Sequence, residues 1–303
     1  MKNMIRNFLL IFLCMIISGI LNGQNVGRNN SSTGIIKSNS DEEEVKETIE
    51  RFLFVAGNYD LEAMDEMIVD NAMIGIVRFK EDKVVTSTLA IEEYFENAKN
   101  KKLQPYFEPV SEYTIHVDDG HLAFVRADAV LHRFGVPLSH NIDYFTLIKE
   151  NGEWKFLSLS FTATPIPEEE RKFDLIAFGK SYAQAWCSQR PDFVAMFYAE
   201  EGWLNVNDGT PAVGRDQITK TAESYMIAFP DIIVMMDSLV TTPEGIEFHW
   251  TFTGTNTGPG GTGKNVRVSG FELWQLEKGL IKESRGSYDA EEYVRQVKYG
   301  YGN

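Results

Sequence analysis

The chain has 303 residues, enough for two ordinary domains. Hydrophobic residues make up 43%, so a core can be built, and the formal net charge is -15. A surface this acidic argues against nucleic acid, because phosphate binding needs a basic face, and against docking on anionic lipid.

Lys2 and Arg6 precede an almost wholly apolar run over 8–20, followed by Leu21-Asn22-Gly23-Gln24. The pattern predicts a signal peptide over 1–23 and an exported protein, periplasmic or extracellular. The run falls short of the roughly 20 apolar residues of a spanning helix, so no stable membrane span is expected after processing. Removing the signal leaves Cys187 as the one cysteine, so no internal disulfide is expected in the mature chain. Beside Trp186 on a predicted helix, Cys187 reads as a packed thiol. Residues 24–40, rich in Asn, Ser and Gly, predict a flexible arm. Asn29 and Asn30 head formal glycosylation sequons there.

Ser40 and Asp41 are capping residues followed by acids, and Val45, Ile49, Phe52 and Leu53 share one helical face. A short helix follows at Leu61–Ile68, a strand at Met73–Phe79 and a third helix around Ile91–Ala98. Strands are expected at Tyr106–Val117, His121–Phe134, Ser139–Lys149 and Trp154–Phe161, with turns at Asp118-Asp119-Gly120 and Asn151-Gly152. Pro165-Ile166-Pro167 and the charges after it mark a linker over 165–171. The order then repeats: a long helix carrying Phe173 to Trp186, a short one over Asp192–Tyr198, a strand at Trp203–Val206 and a helix carrying Ile218 to Phe229. Strands at Ile232–Val240, Ile246–Thr253, Val266–Leu276 and Leu280–Tyr288 complete the second unit. Asp143-Tyr144-Phe145-Thr146-Leu147 aligns with Ser269-Gly270-Phe271-Glu272-Leu273, and the repeat predicts domains at 41–164 and 172–298.

The second unit also resembles a known family. Trp250, the Gly254-Thr255-Asn256-Thr257-Gly258 turn, Gly279-Leu280-Ile281-Lys282-Glu283 and Asp289 are similar to the carboxyl half of SnoaL-like domains of the nuclear transport factor 2-like superfamily. The first unit resembles the same superfamily more loosely, through its last two strands. The resemblance implies an α+β protein of two cone-shaped domains, each a curved antiparallel sheet wrapped around three helices. It further implies a small, mostly apolar pocket lined by Trp203, Tyr225, Trp250, Phe252 and Phe271. In enzymes of the group an acid/base pair in that pocket moves protons. Many members carry histidines where this chain has Asn256, and a His-Trp pair where it has Ser284 and Arg285.

Asp289 matches the Asp that closes the family pattern and is the first candidate base; its other role is to cap the next helix. Glu283 matches the family Glu, or pairs with a neighbouring cation. His249 is the one histidine of the second half; alternation places it opposite Phe248, Trp250 and Phe252, on the outer sheet face. In the first half His132, His140, Asp128 and Asp143 lie on adjacent strands in a register the sequence leaves open. No nucleotide loop, serine elbow or metal-ligand spacing occurs, so no cofactor and no metal are expected. The expected partners are a small apolar or amphipathic ligand and a domain–domain or homodimer contact through the sheet faces. Binding without catalysis, a cyclase-, isomerase- or hydratase-type enzyme, and a cone filled by its own aromatics are the three functional readings.

Overall fold

In a computed structural model, residues 40–80, 83–99, 101 and 103–302 are described. The expected signal peptide, and the flexible arm up to residue 39, lie outside them. No helix among the described residues is long and apolar enough to cross a membrane.

The first unit opens with α1 (Asp41–Gly57) and α2 (Leu61–Glu66). Ser40 caps α1, its hydroxyl accepting from the Glu43 N–H at 3.4 Å, and Asp60 caps α2. Val45, Ile49 and Phe52 are buried, as their spacing on one helical face requires. Then come β1 (Ile68–Lys80), β2 (Lys83–Ala90), α3 (Ile91–Lys99), β3 (Val110–Asp118), β4 (Leu122–Arg133), β5 (Val136–Glu150) and β6 (Glu153–Pro165). A 3-10 turn over Glu168–Glu170 leads into α4 (Leu175–Trp186), α5 (Pro191–Ala195), β7 (Tyr198–Val206), β8 (Ala212–Val213) and α6 (Arg215–Ala228). The chain ends with β9 (Ile233–Thr242), β10 (Gly245–Thr255), β11 (Asn265–Glu277), β12 (Leu280–Tyr288) and α7 (Ala290–Tyr299).

Two six-stranded sheets result, ordered β2-β1-β6-β5-β4-β3 and β8-β7-β12-β11-β10-β9. The two orders are identical, so the fold is a tandem repeat. The sheets depart from the wholly antiparallel expectation. β1 pairs parallel with β6, and β7 parallel with β12. Hairpins force antiparallel neighbours, but a first strand returning across helices is free to enter parallel. Each sheet also gains a short edge strand, β2 or β8, that the apolar pattern does not announce. In β2 the run from Lys83 to Thr86 is wholly exposed, so no buried face imposes an alternation there.

The second core is dominated by rings. Phe178, Tyr182, Phe193, Phe197, Tyr198, Phe229, Phe248 and Trp274 are fully buried. Phe248 and Trp274 stack at 4.6 Å on neighbouring strands, and Tyr182 meets both edge-on. Gly270 stands opposite Trp250 on β11, and a Cβ there would lie 2.7 Å from the indole. The missing side chain is what lets Trp250 lie flat against the sheet.

The described contacts between the units centre on α4 and on the β4–β5 turn. Its residues Tyr182 and Trp186 face the second core, while Gln184, half a turn round the helix, faces the first unit. The Gln184 amide donates to the Tyr106 carbonyl at 2.9 Å and to Asn58 Oδ1 at 3.3 Å, and Asn58 donates back to the Gln184 carbonyl. At the β4–β5 turn Phe134 packs edge-on against Phe197 at 5.0 Å, and the Gly135 carbonyl accepts from Asp174 N–H at 2.8 Å.

Candidate functional site

The inner face of the second sheet is set by parity. On β11, Val266, Val268, Gly270, Glu272 and Trp274 share one face, and Phe271 and Leu273 share the other. On β10, Phe248, Trp250 and Phe252 stand directly opposite Glu272, Gly270 and Val268. Between this face and the helices lies a cavity of about 70 Å³. Trp186, Tyr225, Trp250, Phe252, Tyr288 and Tyr293 form its aromatic walls, and Glu272 is the one carboxylic acid among its lining residues. The cavity is roughly half the size of the ~150 Å³ engineered cavity that takes benzene.

Glu272 is buried, with 7% of its surface exposed. Its Oε2 accepts from Ser284 Oγ at 2.6 Å, Trp274 Nε1 at 2.9 Å and Tyr182 Oη at 3.1 Å. Tyr182 Oη in turn lies 2.9 Å from Tyr198 Oη. Burial raises the Glu272 pKa, and the surrounding donors partly oppose that rise. Oε1 lies 3.4 Å from Tyr182 Oη, and the Tyr198 hydroxyl also interacts with the carboxyl. Oε2 therefore anchors the carboxyl through three bonds, with the Tyr182 and Tyr198 hydroxyls beside it. Trp250, on the cavity wall, has its Nε1–H buried without an acceptor. An apolar cavity thus has one acidic residue in its lining and, in the indole of one wall, a buried unsatisfied donor.

Of the five expected pocket residues, Tyr225, Trp250 and Phe252 line this cavity. Trp203 and Phe271 do not. Their strand parity sends them to the outer face, where they line a separate groove of about 680 Å³ with Leu273 and Arg285. The expected acid/base residues stand apart from the cavity. Glu283 pairs with Arg285 at 3.0 Å, and His249 with Glu247 at 2.9 Å, both outside the cone. Asp289 is exposed and caps α7, its Oδ1 accepting from Glu292 N–H at 2.9 Å.

α7 bears on the cavity all the same. Tyr293 contributes to the wall, and buried Gln296 accepts from the Arg267 N–H at 2.7 Å, fastening the helix to β11. Asp289→Ala is therefore expected to cost about 1 kcal/mol through the lost cap. Hydrogen exchange should rise first in α7, and a protection pattern unchanged in α7 would count against this role.

Glu272 escapes a reading of the sequence because it sits between Phe271 and Leu273, which makes it look solvent-facing. The signal that could have found it is its shared parity with Val266, Val268 and Trp274. The positions where the resemblance expects histidines have other uses. Ser284 donates to Glu272, and Asn256 holds the Gly258–Gly263 turn by accepting from Thr262 N–H and donating to the Ala228 carbonyl.

The first unit has an acid at the equivalent place. Glu272 is opposite Gly286 and, beyond it, Val206; Asp143 is opposite Phe161 and, beyond it, Ile76. The structural match of Asp143 is thus Glu272, three residues on from Ser269, its partner in the sequence alignment. An odd shift flips every side chain, so Phe145 is core while Phe271 faces out. The other first-half candidates scatter. Asp128 pairs with Arg126, His140 is exposed, and buried His132 holds the Val130 carbonyl at 2.9 Å through Nδ1.

Fold and site together define an α+β protein of two repeated units with an apolar cavity in the second. That second domain is SnoaL-like: residues 178–297 match the SnoaL-like polyketide cyclase family, and the first domain repeats its sheet order. No curated protein matches the chain. Similar solved structures include a candidate polyketide cyclase from Bacillus cereus ATCC 10987, at 15% identity over 44% of this chain and 85% of that one, TM-score 0.35. A nuclear transport factor 2-like protein of unknown function from Shewanella baltica OS155 is 20% identical over 41% and 94%, TM-score 0.32. A phenazine biosynthesis-related protein from Pseudomonas aeruginosa is 19% identical over 36% and 75%, TM-score 0.32. At such identities no substrate or chemistry passes from them to this chain.

Proposed function

We propose that the second domain binds a small, mostly apolar molecule carrying a carbonyl or hydroxyl oxygen. The observation that carries this is the unsatisfied Trp250 Nε1–H in the wall of an otherwise apolar cavity. A ligand oxygen would accept from it while the rings enclose the rest. The test is native mass spectrometry of protein purified from its export compartment. A small adduct is expected on the wild type, depleted about threefold to tenfold in Trp250→Phe, the range set by one lost hydrogen bond. An adduct equally abundant in the variant would remove the proposed anchor. The same preparation tests export, for which the basic start and the apolar run over 8–20 are the support: the mature amino terminus should lie near Gly23 or Gln24.

A second reading is proton transfer on that ligand with Glu272 as the base. Its support is a carboxyl among the cavity's lining residues whose pKa is raised by burial. In this reading Asp289 keeps α7 over the cavity and moves no proton.

A further inference from the structure

The first domain holds a second buried acid whose surroundings differ from those of Glu272. Asp143 is 6% exposed, and its Oδ2 has no hydrogen-bond partner. On the same rung of the sheet stands Tyr113, whose hydroxyl is also buried and unpartnered. The Asp143 carboxyl acts on the Tyr113 hydroxyl electrostatically, and neither Oδ2 nor that hydroxyl has a hydrogen-bond partner. Glu108 comes in from the segment before β3, held by the Asn141 amide. Tyr59 and Tyr106 meet edge-on at 5.6 Å, and each interacts electrostatically with Tyr94 and Glu108.

The charges facing this cluster are unbalanced. Those acting on Asp143 are Glu108 and Asp128, both negative. On α1, Lys46 lies over the Tyr113 ring at 5.8 Å and is close enough to Glu50 to pair with it. Arg126 is engaged by Asp128, Arg78 lies over Phe161, and Arg133, whose Nε is buried without a hydrogen-bond partner, acts on Tyr59. His132 is turned to the Val130 carbonyl. Glu108 is held by a neutral amide. Two acids with no ion-paired cation among the described contacts, beside several tyrosine rings, suit a positively charged nitrogen. A metal ion fits less well, because no three His, Cys, Asp or Glu side chains gather for one among the described residues.

We propose that Asp143, Glu108 and the tyrosines Tyr59, Tyr94, Tyr106 and Tyr113 form a binding site for a small protonated amine. The ammonium N–H groups would donate to Asp143 Oδ2 and to Glu108, with the rings around the alkyl part. Burial favours the protonated acids in the empty site, so binding expels a proton: the protonated pair plus R–NH3+ gives the ammonium carboxylate complex plus H+.

Titration calorimetry with propylammonium chloride on the whole protein tests this, with 1-propanol as the uncharged analogue. Propylammonium should bind more tightly as pH rises from 6 to 8. Its heat should vary with buffer ionisation enthalpy, reporting up to one proton released. Asp143→Asn and Glu108→Gln should each weaken it at least tenfold, and 1-propanol should give no binding. Unfolding temperatures of the two variants at pH 6 show whether each remains folded. Absence of propylammonium binding at every pH would overturn the proposal. So would unchanged affinity in folded Asp143→Asn, or 1-propanol binding as well as the cation.

Discussion

Glu272→Ala is expected to destabilise the protein by on the order of 3 to 5 kcal/mol. The carboxyl is the shared acceptor for Ser284, Trp274 and Tyr182, and all three are buried. Removing it strands several donors at once where water cannot replace it. Truncation also opens space beside a cavity that is already present. Glu272→Gln retains an acceptor oxygen and most of the volume, so its loss should be less than half as large. Urea unfolding of the two variants separates these outcomes. Equal, small losses would mean that the network is solvated and that Glu272 does not hold the core.

The second large effect is a dependence of stability on pH that arises in the first domain. Burial pushes Glu108 up to about 7 and Asp143 up to about 8. The Asn141 amide moderates the first rise, and the Glu108 and Asp128 charges add to the second. Both values lie above those of an unfolded chain. The folded state therefore holds protons more tightly, and this stabilisation is fully present below about pH 4. It declines as pH rises from there and is gone once pH has passed through 7 to 8. Each tenfold difference in proton affinity is worth about 1.4 kcal/mol. Water entering around the ionised pair offsets much of that sum, which leaves a loss on the order of 3 kcal/mol between pH 4 and pH 9. Asp143→Asn, neutral at every pH, should melt higher than the wild type at pH 8 to 9 and close to it at pH 4. Thermal unfolding across that range is the measurement. A variant that tracks the wild type at each pH would show that water reaches Asp143 and keeps it ionised.

Much of the architecture could be read from the sequence because it rests on local signals. Ser40 and Asp60 at helix starts, the Phe248-Trp250-Phe252 alternation and the Asn151-Gly152 turn all act over a few residues. The order of elements, repeated twice, comes from those signals. What escaped was set by pairing between strands distant in the chain. The parallel joins of β1 to β6 and β7 to β12 leave no mark on either strand alone. The face taken by each residue of β11 depends on its register against β10 and β12. Phe271 looks like a core residue and Glu272 like a surface one until that register is known. The same rule misplaced Trp203, whose neighbour Leu204 is the buried one. The capping role of Asp289 was legible locally, since Ala-Glu-Glu after an Asp is a helix start.

The seam at α4 bears on how the molecule can be divided. The peptide between the domains ends in a solvent-facing turn at Glu168–Glu170, where a protease has access. A cut there breaks none of the Gln184, Asn58 and Tyr106 bonds and does not part Phe134 from Phe197. The nicked halves should travel together on a sizing column as if the backbone were whole. Each half made alone would carry a raw face: Tyr59 and Phe134 on one, Gln184 and Phe197 on the other. Splitting the gene at the linker would thus make two sticky proteins, whereas producing both pieces in one cell should rebuild the original.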